Sequence, residues 1–305
     1  MRKTRKKRSK KGRKKRDRQS KRHFAREKCS PKAKKVDLKF SCYTSTTLHK
    51  LRDIWNKRHP DSKITSNDPR EIWISLKTAM KTTCNRESCW LRKLFKKNKL
   101  SSELRNYTFA PQQPKEWNKN PFEWLSSVEL LQVMKQYENA YPSFEFLGPS
   151  PIDYDAKKMF GECVWEELCQ FKLKEFIKRG KTKIGIIFNL DPHDLEGSHW
   201  MCMFIDIKKK EIYYFDSYGD GPPRRLRKFM NEVKRQSRAL GTPYKILKNK
   251  RRHQFSESEC GMYCLYFIIQ LLKGKDTFES LTKHRINDKK VKELRQIYFN
   301  QNIKE

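Results

Sequence analysis

No two of the nine cysteines form a Cys-x-x-Cys pair, and their positions (29, 42, 84, 89, 163, 169, 202, 260 and 264) follow no regular framework. An odd count without a framework predicts reduced thiols rather than a disulfide scaffold. The 84/89 and 163/169 spacings are too wide for a zinc knuckle and lack a nearby His pair, so no metal site is expected. Also absent is any apolar run near the ~18 residues a membrane helix needs, and the basic N-terminus is not followed by an apolar signal core. These gaps predict a soluble protein with no membrane partner, not secreted by the usual route. Acidic residues are scarce relative to basic ones: 35 Asp+Glu stand against 71 Lys+Arg, a net charge of +36. Such an excess implies an acidic partner such as nucleic acid or an anionic surface.

Half of that excess sits at one end. Residues 1–35 hold 20 basic and 2 acidic residues, a net of +18. Like charges repel and almost nothing there is apolar, so a basic disordered arm is expected. It would bind nucleic acid without sequence preference or serve as a nuclear-import tail. Residues 36–110 predict a small helical domain. Leu48, Leu51, Ile54 and Trp55 share one helical face up to His59-Pro60, Ile72, Trp73, Leu76 and Met80 form a second stripe, and Trp90, Leu91, Leu94 and Phe95 a third. Their tryptophans are read as core.

The proline-bearing run Ala110-Pro111-Gln112-Gln113-Pro114 reads as a linker, which places a larger domain over 111–305. Its pattern predicts a helix at Ser127–Glu138, a loop carrying Gly148-Pro149-Ser150-Pro151, and a helix from about Cys163 to Lys178. Strands follow at Lys183–Leu190, His199–Ile205 and Glu211–Phe215, then a helix from Pro223 to Leu240, a short strand Tyr244–Leu247 and an apolar helix Cys260–Leu272. The fold class is therefore α+β, and no internal repeat is present.

A reactive thiol requires a base, the base requires an orienting partner, and a developing oxyanion requires donors. One region offers each. Cys260 opens a predicted helix, where free N–H groups and the helix dipole favour a thiolate, and Gly261 lets the backbone approach a substrate. His199 opens a strand and Asp216 ends the next, so a hairpin would bring them to one end of the sheet. Gln254, six residues before Cys260, could donate to an oxyanion. By contrast, His193 is read as a surface-loop residue, Cys202 and Cys264 as core, and the Arg224, Arg225, Arg227, Lys228 cluster as a solvated helix face.

The order Ser198-His199-Trp200, Asp216-Ser217, Gln254 and Cys260-Gly261 resembles the SUMO-protease clan, the papain-like cysteine peptidases that process ubiquitin-like proteins. The stretch Glu259-Cys260-Gly261-Met262-Tyr263, with a long basic extension before it, looks most like the maturation proteinases of nucleocytoplasmic large DNA viruses, relatives of the adenovirus proteinase. The catalytic resemblance covers roughly residues 120 to 275. It implies a papain-like core, a mixed sheet flanked by helices, with His199, Asp216, Gln254 and Cys260 catalytic and no cofactor. Trp124-Leu125 resembles the clan's Trp-Leu motif, which implies that Trp124 and Trp200 enclose the substrate before the scissile bond and admit only glycine there. In clan members that process SUMO an Asp often follows the motif, whereas Ser126 and Ser127 stand here.

The implied activity is that of a cysteine endopeptidase acting after Gly-Gly-Xaa or Gly-Xaa sites in protein substrates, namely viral structural polyproteins, within the virion and host cytoplasm. Deconjugation of a ubiquitin-like modifier, or a nucleic-acid-binding virion protein on a peptidase scaffold, with nuclear localisation, are the alternatives. The chain itself has no Gly-Gly pair at which to cut itself.

Overall fold

The structure, a computed structural model, describes residues 24–32, 38–95, 104 and 106–301. Most of the basic arm, residues 1–23 and 33–35, lies outside the described residues. The rest of the arm reading is corrected, because residues 24–32 are built into the fold. Phe24 packs on Trp73 and Trp90, with ring centroids 5.8 Å away in each case. Glu27 accepts from the Ser88 N–H and hydroxyl at 2.7 and 2.6 Å, and Cys29 bridges to Phe109. Averaging charge over 35 residues concealed this: 15 of the 20 basic residues precede Phe24.

Three helices, α1 (Ser45–Arg58), α2 (Pro69–Ala79) and α3 (Glu87–Leu94), pack around one apolar cluster. Each start has a chemical cause in the sequence. Thr44 caps α1 by accepting from the Thr47 N–H, while Asp68 caps α2 through the Arg70 and Glu71 N–H groups, with Pro69 in the first helical position. The stripes read from the sequence supply the buried Leu48, Leu51, Trp55, Ile72, Leu76, Trp90, Leu91 and Leu94.

The second unit is a five-stranded mixed sheet. Its strands, β1 (Phe144–Ser150), β2 (Lys183–Asn189), β3 (Trp200–Asp206), β4 (Glu211–Phe215) and β5 (Lys245–Lys248), lie side by side in chain order. The outer pairs β1/β2 and β4/β5 are parallel and the inner pairs antiparallel. β3 is buried on both faces, as a near-continuous apolar strand must be. Trp200, Cys202 and Phe204 enter the core against α8 (Cys260–Lys273) and α4 (Ser127–Ala140). Met201, Met203 and Ile205 enter the opposite core against α6 (Leu173–Lys178) and α7 (Arg224–Ala239), the alternation that a two-residue period dictates. α8 is apolar all round because it is enclosed by protein. No helix among the described residues is long and apolar enough to cross a membrane.

Several expectations are corrected. Strand β1 occupies part of the region read as a loop. Its Pro149 is tolerated because β1 is an edge strand whose register shifts between Leu147 and Ser150. The helix expected over Cys163–Lys178 is two short helices, α5 (Glu166–Cys169) and α6. At the break, Gln236 of α7 accepts from the Leu173 N–H at 2.7 Å and donates to the Phe171 carbonyl at 2.9 Å. The nine thiols are not all reduced: Cys29–Cys42, Cys84–Cys89 and Cys163–Cys169 are disulfides with Cα separations of 5.1, 5.6 and 6.2 Å. Two of these close short turns and one ties the N-terminal segment back onto the helical unit, pairings that spacing alone does not reveal.

The run after Ala110 is held by the end of the chain, which forms three short helices, α9 (Phe278–Lys283), α10 (Asp288–Glu293) and α11 (Arg295–Tyr298). The Asn300 N–H donates to the Pro111 carbonyl at 2.7 Å, and its carbonyl accepts from the Gln113 N–H at 2.8 Å.

Candidate active site

The β3/β4 hairpin pairs Cys202 with Phe215, so His199 and Asp216 emerge at the same end of the sheet. The His199 Nε2–H reaches both Asp216 oxygens at 3.2 Å, and both residues are buried. The loop that delivers His199 depends on Gly197, where φ is +97° and a Cβ would fall 2.2 Å from the Asn189 amide nitrogen. Asp216 is itself fastened by Asn249, which accepts from its backbone N–H at 2.9 Å and donates to its carbonyl at 2.7 Å. One carboxylate oxygen also accepts from the Tyr218 N–H at 2.7 Å.

With Nε2 committed to Asp216, the remaining ring nitrogen is left for Cys260, which lies close enough to act on the His199 ring. Burial pushes the imidazole toward its neutral form, but the hydrogen bonds to Asp216 and Cys260 outweigh it and raise its pKa from 6.5 to about 9. The site thus favours the protonated form of the His199 ring. Tyr218 stacks on the ring at 4.7 Å.

Because the folded state binds the His199 proton more tightly than the unfolded chain, this stabilisation is complete below about pH 6.5 and is lost as pH rises through about 9. Unfolding free energy measured from pH 6 to 10 is expected to fall more in the parent than in His199→Gln. The difference is up to about 3 kcal/mol. Parallel curves would show that the raised value is not a property of the folded site.

Gln254 is fully buried on the loop before α8. Its Oε1 accepts from the Ser217 hydroxyl at 2.7 Å, which fixes the amide orientation, and its Nε2 donates to the Ser256 carbonyl at 2.6 Å and faces the Tyr218 hydroxyl at 3.4 Å. Next to His199 in the chain, Trp200 is one wall of a cleft of about 740 Å³ also lined by Trp124, Trp165, Pro149, Asn189 and His193. Trp124 is exposed, whereas Trp200 is buried and donates its indole N–H to the Leu125 carbonyl at 2.9 Å. The need for glycine at 261 has a cause not visible in the sequence. A Cβ there would meet Leu125 Cβ at 3.2 Å and Trp200 Cδ1 at 3.3 Å, so Gly261 packs α8 against the Trp124-Leu125 segment.

The remaining candidates sit where the sequence suggested. His193 pairs through Nδ1 with Asp153 at 2.7 Å and is half exposed. Cys202 and Cys264 are core, and burial followed by contact with Cys202 holds the Cys264 thiol protonated. In the basic cluster on α7, Arg225 and Lys228 pair with Asp155 at 2.7 and 3.0 Å. Asn249 and Tyr218 were missed, because neither residue type carries a signal outside its spatial context.

Residues 172–305 match the Ulp1 protease family, C-terminal catalytic domain. The chain is 34% identical over 181 residues to a protein of Acanthamoeba polyphaga mimivirus named as a thiol protease. That match covers 58% of this chain and 57% of the relative, so the chain spans little more than half of that relative's length. It is 26% identical over 273 residues to the SUMO-1 cysteine protease of African swine fever virus, covering 84% of this chain and 96% of that protein. The crystal structure of the African swine fever virus protease shares the fold, with a TM-score of 0.63 at 20% identity over 90% of this chain and 96% of that chain. The family match extends beyond the 120–275 span of the sequence resemblance to the last residue. The segment that matches the catalytic domain of the Ulp1 protease family, residues 172–305, is thus the one that contains His199, Asp216, Gln254 and Cys260.

Proposed function

We propose that this protein is an endopeptidase that cleaves after Gly-Gly-Xaa or Gly-Xaa sites in viral structural polyproteins. The observation that carries this reading is the His199 imidazole fixed by the Asp216 carboxylate and interacting with Cys260 at a helix start. The Cys260 thiolate attacks the carbonyl carbon of the scissile bond, and the oxyanion takes hydrogen bonds from the Cys260 N–H and the Gln254 amide. His199 gives its proton to the departing amine, leaving a thioester. Water, deprotonated by His199, then releases the acid and restores the thiol. Asp216 keeps the imidazole in the orientation both steps require.

The glycine preference is proposed from the Trp-Leu motif and from Trp124 and Trp200 lining one cleft, where two rings would leave little room for a side chain before the scissile bond. Processing of virion proteins, in the particle and host cytoplasm, is supported by the viral origin of the mimivirus and African swine fever virus relatives. Removal of a SUMO-like modifier is the alternative, favoured by the name of the African swine fever virus relative. Ser126 and Ser127 stand against it, in place of the Asp of SUMO-processing members. The basic N-terminal run is the proposed nucleic-acid tether, since neutralising phosphates releases counterions.

The test is hydrolysis of Gly-Gly-Xaa and Gly-Xaa-Gly peptides beside Ala- and Leu-substituted ones, SUMO and ubiquitin reporters, with and without duplex DNA. Cleavage confined to glycine peptides, relaxed by Trp200→Ala, is the expected result. Equal cleavage of Leu peptides by the parent would remove the tunnel reading, and efficient cleavage of the SUMO reporter alone would favour deconjugation. Deleting residues 1–23 is expected to flatten the salt dependence of DNA binding while leaving cleavage of free peptides unchanged.

A further inference from the structure

Glu259 directly precedes Cys260 and is fully buried. It occupies the N-cap position of α8, yet its carboxylate makes no capping bond to the first-turn N–H groups. It is turned instead toward Arg295 of α11, which donates through Nε at 3.3 Å to one oxygen and through Nη2 at 3.4 Å to the other. Nη2 also reaches the Ser258 carbonyl at 3.5 Å, and the Ser258 hydroxyl donates to the carboxylate at 3.1 Å. The guanidinium lies over the Trp117 ring at 4.5 Å and is itself buried.

The platform behind Arg295 is firmly attached. Phe299 packs edge-on against Trp117 at 5.0 Å. Asn300 accepts from the Lys28 N–H at 2.7 Å, and its amide donates to the Lys28 and Ala110 carbonyls at 3.0 Å. A buried ion pair is a poor way to stabilise a fold, because apolar residues of similar volume often do so as well or better. Its position one residue before the thiol points elsewhere.

We propose that Arg295 is a positioning residue of the catalytic site: it draws the Glu259 carboxylate off the start of α8 and neutralises it, reserving that helix terminus for the Cys260 sulfur and the oxyanion. This inference rests on the reading of Cys260 as nucleophile. Without Arg295, an uncompensated carboxylate adjoins the sulfur and competes for the N–H groups of the first turn, and both effects oppose the thiolate. The other titratable groups that interact with Cys260 are His199 at the end of β3, Tyr218, and Cys264 one turn along α8; Asp216, Arg252, Glu257 and Cys202 in turn act on these three. None of these exchanges a hydrogen bond with Arg295 among the described residues.

The test is the pH dependence of iodoacetamide alkylation of Cys260, with kcat and KM on a glycine peptide, in the full chain. Arg295→Met is expected to move the alkylation midpoint up by roughly one pH unit. It should also lower kcat about tenfold at neutral pH while KM changes less than about twofold. Removing the second charge as well, in Glu259→Gln/Arg295→Met, should return the midpoint and most of kcat. A single variant with an unmoved midpoint, or a double variant as impaired as the single, would overturn the proposal. If Arg295→Met does not fold, Arg295→Lys and Arg295→Gln make the same comparison: lysine keeps the parent profile and glutamine shifts it, and identical profiles overturn the idea. Cys260→Ala assayed in parallel separates the two readings, since activity surviving in that variant removes the nucleophile itself, whatever Arg295 does.

Discussion

Cys260→Ala is expected to lower peptide turnover by at least ~10⁴-fold, the scale of losing a covalent nucleophile. The fold should survive, because Cys260 lies at the first position of a helix whose next twelve residues are almost entirely buried and whose packing a single sulfur does not determine. The same residue should react with iodoacetamide before any other cysteine. Six of the nine thiols are tied in disulfides, which leaves Cys202 and Cys264 as competitors. All three free thiols are buried, so burial alone does not separate them, and that of Cys264 is held protonated. What distinguishes Cys260 is its interaction with His199, whose protonated form the site favours. Peptide mapping after brief alkylation checks this, and comparable labelling of Cys202 or Cys264 in the folded protein would count against the assignment.

Gln254→Ala is expected to reduce kcat by roughly 10²- to 10³-fold with little change in KM, as for other single oxyanion donors. The amide is not free to choose its orientation: Ser217 donates to Oε1, so the N–H groups are turned the other way, toward Ser256 and Tyr218. Ser217→Ala should therefore weaken turnover more mildly, by loosening the amide without deleting it. Steady-state kinetics on a glycine peptide distinguish the roles. An unchanged kcat in Gln254→Ala would exclude it from the oxyanion site, whatever the effect on stability.

Much of the site was legible because its signals are local. A β-branched and aromatic run starting at His199-Trp200, a second ending at Phe215-Asp216, and an apolar helix opening at Cys260 are each visible within a few residues. The antiparallel pairing of consecutive strands then brings the first two together. What the sequence concealed depends on distance along the chain. Asn249 holds Asp216 from 33 residues away, and Arg295 reaches Glu259 across 36. Strand β1 was hidden by Gly148-Pro149 and by a parallel partner, β2, that begins more than thirty residues later. The sequence reads Gly261 as a place for close substrate approach, and it does not show the crowding by Leu125 and Trp200 that a Cβ would meet there. Residues 24–32 were assigned to the arm because a charge count weighs every residue equally and does not register the anchoring contacts of Phe24 and Glu27.

The central claim is that Cys260 attacks the carbonyl that follows a glycine pair. Its most direct test is mass spectrometry of the protein after exposure to a Gly-Gly peptide that carries an electrophile in place of the scissile amide. One adduct per chain, mapped to Cys260, absent in Cys260→Ala and formed far more slowly by a Leu-Leu analogue, is the predicted result. An adduct on Cys202 or Cys264, or equal trapping of the two peptides, would contradict the account.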